Sequence, residues 1–325
     1  MKEAMMQAEV GDDVLGDDPT VRALEQKATA FFGTESAIFC PSGTMTNQIA
    51  MQLHMRSGDE VICHPYSHIY NYEGGGIAAN AGSSVKFIDG PRGKLTPGTI
   101  ASAFNNPDDP HAAHSALLSV ENTANKGGGA CYDFEDLVTL GKEARELGLK
   151  YHMDGARLWN AMIANGENPK RYGEIFDTIS VCLSKGMGCP VGSLLLGTEE
   201  DMKRAVRIRK RMGGGMRQAG FLAAAGIYAM DHHYERLEED HRRAKILGET
   251  LLNTDYIERI DEVQTNIVIF YAADGIDPIA LTRKLSESGI LITWMGQGKL
   301  RMVTHLDFTD EMLDYTLEKL KEIKL

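Results

Sequence analysis

Three short stretches carry residues whose types and spacing could do chemistry. In HMDGARLWN (152–160), Asp154 ends a short apolar strand and Arg157 follows three residues later, where a helix should begin. In TISVCLSKGMGCPVG, Lys185 leaves a buried strand for a glycine-flanked turn. A lysine desolvated there can lose its charge near neutral pH and condense with an aldehyde. In PSGTMTNQ (41–48), Ser42, Gly43 and Thr44 lead into a helix, whose unpaired amides and positive dipole end favour a phosphate. Each stretch alone has a bland reading as an ion pair, a strand-end lysine reaching solvent, or an ordinary helix cap. Together they supply what pyridoxal phosphate needs: a carboxylate to keep the pyridine nitrogen protonated, an amine to hold the aldehyde as an imine, and a cup for the phosphate. Arg157, one turn past Asp154, can then reach a substrate carboxylate with its two-pronged guanidinium.

Competing chemistries find less support. No G-x-x-x-x-G-K-[ST] run occurs, and the G-x-G-x-x-A pattern at Gly74, Gly76 and Ala79 precedes a strand where a dinucleotide loop should follow one. His111 with His114, and His232 with His233, have no further ligands at hand, so no metal site is expected. Cys40, Cys63, Cys131, Cys182 and Cys189 are odd in number and lack C-x-x-C spacing, which predicts buried thiols. With 34 basic against 46 acidic residues, the net charge of −12 argues against a general nucleic-acid or anionic-membrane binder. The basic run MKRAVRIRKRM (202–212) is read as a solvated helix feeding charge toward a phosphate site. No apolar run is long enough to span a bilayer and the N-terminus lacks an apolar signal core, so a cytoplasmic location is expected.

The elements that must position these residues alternate. Helical periodicity over 20–33 precedes a strand at SAIFC, a helix at GTMTNQIAMQLHMRSG and a strand at DEVICH. A Tyr-rich, helix-like stretch then runs into the glycines at 74–76, and SSVKFID reads as a strand. SALLSVEN, KYHMD and TISVCLS are short buried strands, with the helix FEDLVTLGKEARELG between the first two. That order predicts an α/β fold with a mostly parallel sheet and helices on both faces, over residues 1–231. A charged helix over about 232–253 opens a smaller C-terminal α+β domain (232–325), with TNIVIFY, GILITW and KLRMVTH as strands and helices near 277–288 and from 309. The cleft between the two domains is the expected site.

The run AEVGDDVLGDDPTVRALE, PSGTMTNQ, SHIYNYE, ENTANKGGG, HMDGARLWNA, CLSKGMGCPVGS, GGGMRQAG and LRMVTH resembles the L-threonine aldolases among the fold-type I pyridoxal phosphate enzymes, in order and over nearly the whole chain. The resemblance implies that Lys185 is the Schiff-base lysine, that Asp154 partners the pyridine nitrogen, and that Ser42, Gly43 and Thr44 take the phosphate. His68 would stack on the cofactor ring and serve as a candidate base, with Tyr72 close by toward the substrate. Arg157 and Arg301 would anchor the substrate carboxylate, Arg157 also lying against the cofactor. Arg217 would reach the phosphate of a neighbouring subunit, making the protein a homo-oligomer, a dimer of dimers with shared sites. The implied reaction is reversible cleavage of a β-hydroxy-α-amino acid such as threonine or allo-threonine to glycine and an aldehyde.

Three departures from the pattern bear on activity. The segment like DLRSDTVT that usually precedes AEVGDD is not found in the twelve residues before Asp13, Leu15 stands where DDVYG would give a tyrosine, and Ala124 stands where many relatives have histidine. Poor discrimination between threonine and allo-threonine is expected from Ala124, with a histidine there raising kcat. A β-eliminating lyase on the same scaffold and a cofactor-binding oligomer without turnover are the alternative readings.

Overall fold

The computed structural model describes residues 1–324. Strands β1 (Ser36–Cys40), β2 (Asp59–Cys63), β3 (Ser84–Phe87), β4 (His114–Glu121), β5 (Lys150–Gly155), β6 (Thr178–Cys182) and β7 (Ser193–Gly197) form one sheet in the order β1-β7-β6-β5-β4-β2-β3. The pairs among β2 to β6 are parallel, as expected, and β7 runs antiparallel to both β1 and β6. β7 was not anticipated. Its SLLLG is buried at every residue, and so short an apolar run has no period by which to recognise it.

Among the described residues, nine α-helices lead to and cover this sheet: α1 (Lys2–Met6), α2 (Pro19–Phe32), α3 (Gly43–His54), α4 (His68–Asn71), α5 (Phe134–Glu146), α6 (Leu158–Asn165), α7 (Lys170–Ile175), α8 (Glu199–Arg211) and α9 (Gly220–His232). Helices α2, α5, α6, α7 and α9 share one core with the sheet, while α3 and α8 share a second. Covering both faces explains why the central strands β4, β5 and β6 are buried almost throughout and do not alternate between core and solvent.

The loop before α2 is tied down by charge. Asp18 is buried; one carboxylate oxygen caps α2 through the amides of Thr20 and Val21, and the other accepts from Gly11 and Gly220. Pro19 at the first helical position and Gly33 in the left-handed region complete the start and stop of α2. Asp13 pairs with Arg209 at 2.9 Å, and the Arg209 guanidinium also donates to the Phe39 carbonyl at 2.6 Å. The basic run is therefore not wholly solvated, because α8 buries Arg209 against this loop.

A second, antiparallel sheet runs β10-β11-β9-β8, built from β8 (Ile257–Ile260), β9 (Ile267–Ala272), β10 (Thr293–Trp294) and β11 (Lys299–Val303). It has its own core with α10 (Leu237–Leu252), α11 (Pro278–Glu287) and α12 (Asp310–Glu322), centred on Leu247, Phe270, Leu281 and Leu300.

Two expected elements differ. The charged helix starts later than expected, at Leu237 as α10, because α9 ends at His232 and a turn follows. Between them Tyr234 turns in against Phe31 and Trp159, and His233 Nδ1 meets the Met187 carbonyl at 2.7 Å. GILITW pairs only through Thr293 and Trp294, because the Ile290 amide bonds back to Leu285 and closes the end of α11. All five cysteines are buried and free, and no described helix is long and apolar enough to cross a membrane.

Candidate active site

The carboxyl ends of β2, β4, β5 and β6 lie on one edge of the sheet, where ligands of open α/β folds bind. Asp154 ends β5 beside Glu121 of β4 and is buried. Its Oδ1 accepts from the Ala156 amide at 3.2 Å, and its Oδ2 from Asn47 Nδ2 at 3.0 Å. The same Asn47 nitrogen donates to Glu73 Oε1 at 2.8 Å, and Gln48 Nε2 donates to Glu73 Oε2 at 2.6 Å.

Glu73 is wholly buried and faces His68 Nδ1 at 2.9 Å. A carboxylate only accepts, so this contact puts the ring proton on Nδ1 and the lone pair on Nε2. Burial alone would lower the His68 pKa, but the hydrogen bond it donates to Glu73 and the charges of Asp154, Glu73 and Glu121 more than offset it, and the net shift is upward. His68 is thereby made a better base than an isolated imidazole.

Glu121 joins the base to the next group. Its Oε2 accepts from the His68 amide at 2.8 Å and its Oε1 from the Asn125 amide at 2.9 Å. Burial, with the Asp154 charge second, pushes its carboxyl up to about 7. Asn125 Oδ1 in turn accepts from both Arg157 at 3.4 Å and Arg301 at 3.1 Å, so β11 brings its arginine to the same point as the chain after β5. Burial, and secondly the like charge of Arg301, lower the pKa of Arg157; two guanidiniums converging on one oxygen invite an anion.

Lys185 sits half-buried in the turn after β6, with its carbonyl accepting from the Gly188 amide at 2.8 Å. Helix α3 starts beside the end of β6. A Cβ on Gly43 would lie 2.5 Å from Cys182 Sγ, so only glycine lets the helix start rest on the end of β6. Ser42 Oγ caps the Met45 amide, while the amides of Gly43 and Thr44 take no partner among the described residues. Tyr72 is half-exposed, its ring 5.4 Å from that of His68 and 5.6 Å from Lys126 Nζ.

The edge thus gathers Gly43, Thr44, His68, Asp154, Arg157, Lys185 and Arg301, with Ser42 and Tyr72 beside them. Arg217 stands apart. Its side chain is 61% exposed and pairs with Asp12 on the loop before α2. Asn47, Glu73, Glu121 and Asn125 also belong to the site and were not expected there, although each lies in a stretch whose neighbours were: PSGTMTNQ, SHIYNYE and ENTANKGGG. An acid just ahead of three glycines, in NYEGGG, was the available signal for Glu73.

The position expected to matter most for stereochemistry is placed differently. Ala124 is buried, its amide bonds to the Ala130 carbonyl at 2.9 Å, and Cβ atoms built on Gly93 and Gly127 would lie 3.1 and 3.3 Å from its own. Its side chain packs against the turns at 93 and 127, so the expectation that histidine there raises kcat is revised. Ala124→His should overpack this contact and cost about 1–3 kcal/mol, measured by urea unfolding, with no gain in turnover. Leu15, where a tyrosine was expected, is 76% exposed.

The model of the family described as beta-eliminating lyase matches residues 1–274. The chain is 38% identical over 331 residues to low-specificity L-threonine aldolase 1 of Arabidopsis thaliana, covering 100% of this chain and 92% of that one. It is 41% identical over 313 residues to the low-specificity L-threonine aldolase of Escherichia coli K12, covering 96% and 92%. Among solved structures, the threonine aldolase of Leishmania major superposes with a TM-score of 0.84 at 22% identity, covering 98% of this chain and 92% of that one.

Proposed function

Because the chain belongs to the beta-eliminating lyase family, we propose that it is a pyridoxal phosphate-dependent carbon–carbon lyase that cleaves threonine and allo-threonine to glycine and acetaldehyde. The observation that carries this reading is the convergence, at one sheet edge, of a buried aspartate, a turn lysine, a carboxylate-backed histidine and two arginines meeting at Asn125.

The donor set fits the cofactor. The amides of Gly43 and Thr44 suit a phosphate, Lys185 is an amine for the aldehyde carbon, and Asp154 is an anion for the pyridine nitrogen. When bound, the cofactor supplies an electron sink for the pair released from the Cα–Cβ bond. Asp154 keeps a proton at the ring nitrogen, and Asn47 and the Ala156 amide hold its carboxylate in place. His68 Nε2 accepts the proton of the β-hydroxyl as the Cα–Cβ bond breaks, with Glu73 taking up the resulting ring charge. The aldehyde leaves, and a proton returned to Cα gives glycine.

Arg157 and Arg301 hold the amino-acid carboxylate, displacing or sharing the weaker acceptor Asn125 Oδ1. Arg157→Ala and Arg301→Ala should each cost about 1.5–3 kcal/mol of substrate binding, a rise in KM for threonine of roughly tenfold to a hundredfold, with the cofactor retained. An unchanged KM in both variants would make them a structural pair. Arg217, exposed and away from this cleft, is assigned to the phosphate site of a neighbouring subunit in a homo-oligomer, and the two cores to a large and a small domain parted near residue 231.

Incubation with threonine and with allo-threonine tests the reading directly. Glycine plus acetaldehyde is the expected outcome. Ammonia plus a keto acid would mean β-elimination, and no turnover would leave only a binding protein.

A further inference from the structure

Behind Asp154 a line of buried polar groups crosses the molecule away from the cleft. Asn47 Oδ1 meets His152 Nε2 at 3.2 Å, His152 Nδ1 meets Thr178 Oγ1 at 2.9 Å, and Thr178 Oγ1 meets His54 Nε2 at 3.0 Å. His152 and Thr178 are completely buried, on neighbouring strands β5 and β6. His54 ends α3 and borders a cavity of about 680 Å³ at the opposite ends of the strands, lined also by Asp59, Lys150, Asp177 and Arg204.

The direction of every bond in this line is forced from the cleft end. Glu73 and Asp154 are acceptors only, so Asn47 must turn its NH2 toward them and its carbonyl away. That carbonyl needs a donor, which makes His152 an Nε2–H tautomer whose Nδ1 must accept. Thr178 therefore gives its hydroxyl proton to His152 and must itself accept from His54 Nε2–H. Reversing any one bond would set two acceptors or two donors face to face, at the cost of a buried unsatisfied group.

We propose that His152, Thr178 and His54 are positioning residues, a one-way hydrogen-bond chain that locks the Asn47 amide and so fixes the Asp154 carboxylate that would partner the pyridine nitrogen. This rests on the cofactor reading given above. The chain is built of neutral rings. Burial, and secondly the His54 ring, hold His152 down at about 3, and burial holds His54 down at about 4 although Asp201 and Asp177 pull it upward against Lys150 and Arg204. Neither ring then changes charge across the working range, which keeps the polarity of the chain constant.

Two measurements test it. In cofactor-free protein labelled with 15N-histidine, His152 and His54 should both read as neutral Nε2–H tautomers from about pH 8 to about pH 5; an Nδ1–H tautomer at His152 would overturn the chain. The second compares Thr178→Val, which keeps the shape and loses the hydroxyl, with Thr178→Ser, which keeps the hydroxyl and loses a methyl. The chain predicts that Val weakens pyridoxal phosphate binding by about threefold to tenfold while Ser stays near wild type, the effect of one lost hydrogen bond. Packing alone predicts the reverse order, and that order, or wild-type affinity in Val, would refute the role. If wild-type protein takes up no cofactor at all, the cofactor reading has failed, and the tautomer measurement still decides the chain.

Discussion

Lys185→Ala is expected to lower acetaldehyde release from threonine by at least about 10²–10⁴-fold, the range for a lost group that acts directly on the reacting atoms. The loss should be chemical and not structural. The turn holding Lys185 is closed by backbone bonds, Gly188 amide to Lys185 carbonyl at 2.8 Å and Cys189 amide to Leu183 carbonyl at 3.0 Å, which alanine preserves. The half-buried side chain also leaves no large void on truncation. The variant should therefore melt within a few degrees of wild type in the cofactor-free form. Borohydride treatment should attach the cofactor covalently to wild-type protein at Lys185 and fail to do so in the variant. Attachment at another lysine, or turnover near wild type, would remove Lys185 from the chemistry.

Why some of this site could be read from the sequence and some could not follows from where each group gets its role. Asp154, Lys185 and Gly43 are placed by their own strand ends, so the local pattern of apolar run followed by turn already locates them. Glu73 meets Asn47 26 residues away in the chain, Asn47 meets Asp154 107 residues away, and Asn125 meets an arginine 176 residues away. No local pattern encodes such pairings; register and packing create them. The same division runs through the fold. The parallel strands with flanking helices were legible from periodicity, whereas β7 reverses direction to fill the place between β1 and β6, which its five residues do not announce. Ala124 is the clearest case. Its neighbours in sequence suggest a reactive position, and only the approach of Gly93 and Gly127 reveals a packed one.

Asp154→Asn should be the second most damaging change, lowering kcat for threonine by about 10²–10⁴-fold while leaving the overall shape of the site intact. An amide cannot hold a proton on the ring nitrogen as an anion does, so the electron sink weakens even if the cofactor stays bound. A second consequence separates charge from shape. Glu121 is raised from 4.5 to about 7 by burial first and by the Asp154 charge second. A carboxyl whose folded pKa lies above its unfolded one keeps a proton that the unfolded chain has released, so the stability it contributes is present below about 4.5 and is lost as pH rises through about 7. Removing the Asp154 charge lowers the folded pKa of Glu121 and narrows that window. Urea unfolding of the cofactor-free proteins at about pH 5 and about pH 7 should therefore give a shallower loss of stability in Asp154→Asn than in wild type. Glu25, also raised to about 7 but by burial, with the charges of Asp13 and Arg209 as its other charged neighbours, contributes equally to both proteins and cancels in the comparison. The Asp154 charge also raises His68, so removing it shifts both groups in the same direction. Full activity in the variant would refute the role of Asp154 at the ring, and an identical pH slope would show that neither Glu121 nor His68 feels its charge.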